Sequence, residues 1–146
     1  MDSLSTLEED KHKVVVKELE APHEVCTVKH KFSDKVYIRE IFMPAGLLVV
    51  GKTHKTTHFN IVTTGSCDVM IAGEIRTIKA PATFESLEGS QKTLYIHEDC
   101  TWLTVHVNED DERDIPTLEE RYVEQGVDPQ ANLWQNIIKT LEDKQQ

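Results

Sequence analysis

The chain lacks any apolar run long enough to span a bilayer. Its longest mainly apolar stretch, residues 41–50, is broken by Pro44 and Gly46, whereas a spanning helix needs about 20 such residues. Residues 1–10 hold four acidic side chains and no basic one, the reverse of a secretory leader. A cytoplasmic protein that neither crosses nor coats a membrane is expected. Cysteine is scarce: Cys26, Cys67 and Cys100 are far apart and form no C-x-x-C pair, so reduced thiols are expected rather than a disulfide framework. No basic cluster flanks them to activate a thiolate.

Positive charge is also short. Sixteen basic residues face 26 acidic ones, a formal net charge of -10, and neutralising nucleic-acid phosphates requires a basic face. General nucleic-acid binding is therefore not expected. The chain has no G-x-S-x-G, no Walker loop and no H-E-x-x-H, which removes three common catalytic signatures. The acidic run at 109–114 lacks the glycine and the spaced ligands of a calcium loop and reads as a solvated linker.

What remains is enough for one folded domain. The 146 residues are 38% apolar and 29% charged, in the range of a globular protein. The acidity sits at the end, where residues 108–146 hold eleven acidic and four basic side chains. Three regions follow: an N-terminal extension at 1–31, a body at 32–107, and an acidic linker with helices at 108–146. Ser5 and Glu8 form a capping-box pattern for a short first helix, and 21–31 reads as an irregular or edge segment.

Between residues 36 and 107 short apolar runs alternate with turn signals such as Pro-Ala-Gly, Thr-Gly-Ser and Ala-Gly-Glu, the punctuation of an antiparallel β-protein. Eight strands are expected near 36–43, 46–51, 57–64, 67–72, 74–79, 82–86, 91–97 and 100–107, which suits a jelly roll or barrel. Asp114 opens a helix expected at 116–125 and closed by Gly126. Asp128 and Pro129 then start a last helix, whose Leu133, Trp134, Ile137, Ile138 and Leu141 fall on one face.

The chemistry-bearing segment is 46–65, where Gly46, Lys52, His54, His58 and Gly65 are spaced G-x5-K-x-H-x3-H-x6-G. This resembles the first motif of the cupins, G-x5-H-x-H-x3,4-E-x6-G, in all its spacings but in only three of five residue types. Where the second cupin motif carries a histidine after a P-x-G turn, this chain has Leu87-Glu88-Gly89 followed by Lys92. The resemblance covers residues 36–107 and implies an all-β, cupin-type jelly-roll barrel, here with a C-terminal helical tail. The string His-Lys-Thr-x-His is most similar to small cupin-like proteins of bacteriophages, which would place the chain in a bacterial host cytoplasm.

Lysines in two ligand places oppose a divalent cation and favour an anion. The leading expectation is thus a small-molecule-binding protein with a cationic pocket formed by Lys52, His54, His58 and Lys92. Asn60 shares the face of His58. Trp102, Thr104 and His106 share one face of the last strand, so Trp102 offers an aromatic plate, or simply core packing, if that face is the inner one. At most one of Arg39 and Glu40, on opposite strand faces, points inward. Two further readings stay open. One is a metal-dependent dioxygenase or isomerase that holds Zn, Mn, Fe or Ni on His54, His58 and His106. The other is a structural or interaction module in which the barrel is a scaffold. His97 is expected in a turn, and His12, His23 and His30 at the surface. Self-association, most simply as a homodimer, is expected from the uncovered sheet surface and the apolar stripe of the tail.

Overall fold

The computed structural model describes residues 26–124. These form seven strands and one helix: β1 Thr27–Ser33, β2 Val36–Met43, β3 Leu48–Val50, β4 His58–Ile71, β5 Glu74–Lys79, β6 Ala82–Ser86, β7 Thr93–Val107 and α1 Ile115–Tyr122. Every strand pairing is antiparallel. The expected helix near residue 5 and the one beginning at Asp128 lie outside the described residues.

Two long strands organise the whole. The first half of β4 pairs with β6 and its second half with β5. β7 likewise gives its first residues to β3 and its last eight to β2, and β4 and β7 pair with each other along most of their length. The result is two half-sheets that share β4 and β7, one with β1, β2 and β6, the other with β3 and β5. This is the jelly-roll arrangement that the turn spacing implied.

The eight expected strands become seven by fusion and extension. The segments 57–64 and 67–72 join as β4, and 91–97 and 100–107 as β7, because Thr-Gly-Ser forms a bulge instead of a turn. Gly65 adopts φ +83 and the β4–β7 register shifts between Val62 and Cys67, so the strand bends without leaving its ladder. Opposite the bend, Ser66 donates to Glu98 and the Ala45 amide to Asp99, at 2.7 and 2.9 Å. The ladder also begins earlier than residue 32, since β1 pairs with β2 from Thr27 onward. Its Lys29, His30 and Lys31 suit a solvated edge.

One apolar core fills the space between the half-sheets: Met43, Leu47, Val49, Val62, Val69, Leu94, Ile96 and Trp102, with all three cysteines. The thiols are free and buried. The hydrogen bond with Cys100, and then burial, hold the Cys67 thiol well above its usual range, while that same bond lowers Cys100. A second cluster, Tyr37, Leu118 and Tyr122 with Phe32 and Ile115, fastens α1 to the other end of the barrel. Asp114 caps this helix by accepting from the Thr117 amide at 3.1 Å. It stops at Tyr122, short of the expected residue 125, because Val123 turns extended and bridges to His54.

A Cβ at Gly65 would stand 2.2 Å from the Asp99 carbonyl oxygen, against backbone that cannot move aside. Gly65→Ala is expected to destabilise the fold by about 1–3 kcal/mol or more, read as a lowered midpoint in denaturant; an unchanged midpoint would show that the bend is not a constraint.

Candidate functional site

The period of two decides which side chains meet inside. On β7 Cys100, Trp102, Thr104 and His106 are buried, while Val107 is 70% exposed. On β4 His58, Asn60 and Val62 are buried, while Phe59 is 52% exposed. Tyr37 stands opposite His106, Arg39 opposite Thr104, and Thr104 opposite Asn60. The inner face therefore changes along the strands from an apolar core around Trp102 and Val62 to a polar layer near the barrel end that α1 covers.

In that layer three imidazoles gather. The rings of His54 and His58 lie 4.3 Å apart by centroid, those of His58 and His106 5.4 Å, and those of His54 and His106 6.1 Å. The Nδ1–H of His58 donates to the Thr56 carbonyl at 2.9 Å, which leaves Nε2 as an acceptor. Lys92 Nζ faces that atom at 3.5 Å. Lys92 is only 8% exposed, and among the described residues no carboxylate forms an ion pair with it. Arg39, half-buried on the inner register, adds a second positive charge that both His54 and His106 sense.

Burial controls the protonation here. It pushes His54 and His106 down to about 3, helped in both by Lys92, Arg39 and the neighbouring imidazoles. His58 is also lowered, by burial first and by Lys92, against the opposing effect of its bond to Thr56. Lys92 falls to about 8 through burial. At neutral pH the layer thus holds neutral imidazoles beside a largely charged ammonium. His54 Nδ1, His106 Nδ1 and Thr56 Oγ1 are buried with no hydrogen-bond partner among the described residues, and such atoms carry a desolvation cost that a ligand could remove.

No family model matches the chain, and no curated protein matches it by sequence. Solved structures do. The EutQ protein of Salmonella typhimurium LT2 superposes with a TM-score of 0.52 over 62% of this chain and 74% of that chain, at 14% identity. KdgF from Halomonas sp. superposes with 0.50 over 59% and 82%, at 13% identity. An RmlC-like cupin from Shewanella frigidimarina NCIMB 400 is similar at 0.49 over 59% and 78%, at 14% identity. This chain has the cupin fold. Its activity does not follow from that, since one fold hosts many chemistries.

Of the side chains expected in the cupin site, His54, His58, Lys92 and His106 converge. Lys52 does not join them: it is exposed. It lies between β3 and β4 in a segment that is not a strand, so strict alternation with His54 does not hold there. Asn60 lies one step deeper, where it accepts from Trp102 Nε1 at 3.0 Å and donates to Ser86 Oγ at 2.8 Å. Trp102 belongs to the core, with Phe84 edge-on at 5.4 Å, and presents no free aromatic plate. His97 lies within β7 rather than in a turn, exposed and 3.0 Å from Asp68. His30 is at the surface as expected, with its ring bonded to the Tyr37 hydroxyl at 2.7 Å. Of Arg39 and Glu40, Arg39 takes the inward register and Glu40 pairs with Lys31.

The cupin fold raises the question of a metal. The bonded Nδ1 of His58 orients its ring as a ligand would be oriented, but the Nε2 that would bind is the atom Lys92 faces. An ammonium there repels a divalent ion, and among the described residues no carboxylate pairs with it and no three His, Cys, Asp or Glu side chains are arranged to hold a metal. The described side chains do not fit a metal while Lys92 is charged.

Sequence reasoning missed Tyr122. Its ring stacks on His106 at 4.0 Å and near Tyr37 at 6.0 Å. The Lys55 amide donates to the Tyr122 carbonyl at 2.8 Å, and the Glu124 amide to the Thr53 carbonyl at 2.9 Å. Residues 122–124 thereby close the barrel end over the histidines. No spacing rule links residue 122 to 54 or 106; only the folded path of α1 does.

The lowered histidines fix a pH dependence. Their folded pKa values lie below the unfolded value of about 6.5, so the unfolded chain binds more protons between those limits and stability falls with falling pH. Denaturant midpoints should decline from about pH 6.5 toward about pH 3, the window bounded by His54 and His106. His106→Gln should flatten part of this slope, and an equal slope in wild type and variant would contradict the burial of a neutral His106.

Proposed function

We propose that this protein binds a small anionic molecule, of the oxyanion or carboxylate class, in the polar layer of its barrel. The observation that carries the reading is Lys92: a buried ammonium whose described neighbour is a neutral imidazole and which has no carboxylate partner among the described residues. Burying a charge without an opposite charge costs several kcal/mol, and a bound anion would offset that cost. Arg39 supplies the second cation, and neutral His54 and His106 supply ring nitrogens that can donate in one tautomer. Lys92 acts as the charge anchor, Arg39 offers a planar fork suited to two oxygens, and the imidazoles orient the ligand. No reaction is required by this arrangement.

Titration calorimetry with inorganic phosphate and a panel of small carboxylates tests the reading. Lys92→Met and Arg39→Met should each weaken binding roughly 10- to 100-fold, the loss of one charge-assisted hydrogen bond, while Lys52→Met should leave it unchanged. Binding of every anion by Lys92→Met as tightly as by wild type would sink the proposal. Lys92→His removes the charge and adds an imidazole, so affinity for Zn²⁺ should rise above that of wild type; tight Zn²⁺ binding by the wild type would favour the metal-enzyme reading instead.

A further inference from the structure

The side chains of the polar layer are shut in. His58, Lys92 and His106 are buried, and so is Tyr122, whose ring lies 4.0 Å from that of His106. A ligand needs a way in, and the walls of the layer differ in how firmly they are held. Beside the site β2, β7 and β4 are joined by continuous ladders, from Val36–Val107 to Met43–Cys100 and from Phe59–Val105 to Val62–Trp102. The cover is held by far fewer bonds. Residues 53–55 and 122–124 lie outside the strands and meet in one isolated antiparallel bridge, His54 with Val123. The Lys55 amide donates to the Tyr122 carbonyl and the Glu124 amide to the Thr53 carbonyl on either side of it. Lys55 Nζ donates to the Glu120 carbonyl at 2.9 Å, and the Tyr122 hydroxyl donates to the Val107 carbonyl.

We infer that Tyr122, Val123 and Glu124 form a strap that gates the layer, lifting from residues 53–55 to admit the anion and closing over it. The inference rests on the reading of the layer as an anion site. A segment held by a few bonds opens locally at far lower cost than a ladder that is part of the whole sheet, and ligand sites are commonly closed by such segments. Leu118 is buried in the cluster with Tyr37, so the body of α1 stays docked while its end moves. The helix has already ended there: Val123 is extended, at φ -131 and ψ 150, and the chain beyond Tyr122 can turn without unwinding it. Lifting takes Val123 off His54 and Tyr122 off His106. These are the two imidazoles whose Nδ1 atoms have no hydrogen-bond partner among the described residues. Closing excludes water and so strengthens the attraction between Lys92 and a bound anion.

A reversible lock on the full chain tests this. Thr53→Cys with Glu124→Cys sets two thiols on residues paired across the strap, at a separation that a disulfide can span. Access is read by mass spectrometry after diethylpyrocarbonate, which acylates neutral imidazoles, with the exposed His97 as internal reference. Oxidation of the pair should slow the reaction of His54 and His106 about ten-fold or more, because that reaction follows the population of the open strap. The rate for His97 should not change, and inorganic phosphate should associate more slowly by a similar factor until the disulfide is reduced. Lys55→Met removes only the bond from an exposed side chain to Glu120 and should speed the reaction of both buried histidines about two- to five-fold. Equal reaction in the oxidised and reduced forms overturns the inference; should the cysteine variant fail to fold, so does equal reaction in Lys55→Met and wild type. If histidine access follows the lock while neither form binds phosphate or a carboxylate, the gate stands and the anion reading fails.

Discussion

The contact on which the functional account depends is the 3.5 Å approach of the Lys92 ammonium to His58 Nε2. Everything around it is set by the low polarisability of the barrel interior. The same burial that lowers Lys92 keeps His54 and His106 neutral, and each neutral imidazole can remain there because it does not add to the charge of Lys92 and Arg39. A carboxylate would quench this arrangement, and the place where the cupin motif carries a glutamate holds His58. The layer is therefore positive by subtraction: among the described residues no carboxylate forms an ion pair with Lys92.

The architecture explains how that region survives next to an apolar core. β4 and β7 run through both half-sheets, and one strand carries core residues at one end and site residues at the other: Val62 and His58 on β4, Cys100 and His106 on β7. Asn60 sits at the junction and satisfies Trp102 on one side and Ser86 on the other, so the transition leaves none of its own polar atoms unbonded. Tyr122 then seals the end, and Arg121 locks the helix by a bidentate pair with Asp110 at 2.8 Å. This pair is exposed and adds little energy by itself.

Much of this was legible in the sequence, for reasons that can be named. Alternation over two residues placed His58 with Asn60 and Trp102 with His106. Strand limits at 36–43, 74–79 and 82–86 followed from turn residues alone. The failures share a cause, which is that local patterns do not report long-range geometry. Thr-Gly-Ser has turn composition, yet pairing with β7 carries the chain straight through as a bulge. Lys52 has the right spacing but lies off the ladder, so spacing no longer determined its direction. Arg39 was one of two possibilities until the β2–β7 register chose it, and Tyr122 reaches the site only through α1.

The most direct test of the account is nitrogen-detected NMR of the imidazole rings and the Lys92 Nζ at neutral pH, with and without phosphate and small carboxylates. The account requires neutral rings for His54 and His106, a protonated Lys92, and saturable shifts of the Lys92 and His58 signals as the anion is added. Protonated His54 and His106, or Lys92 and His58 signals that no anion moves while Zn²⁺ shifts all three imidazoles at one ion per chain, would contradict it.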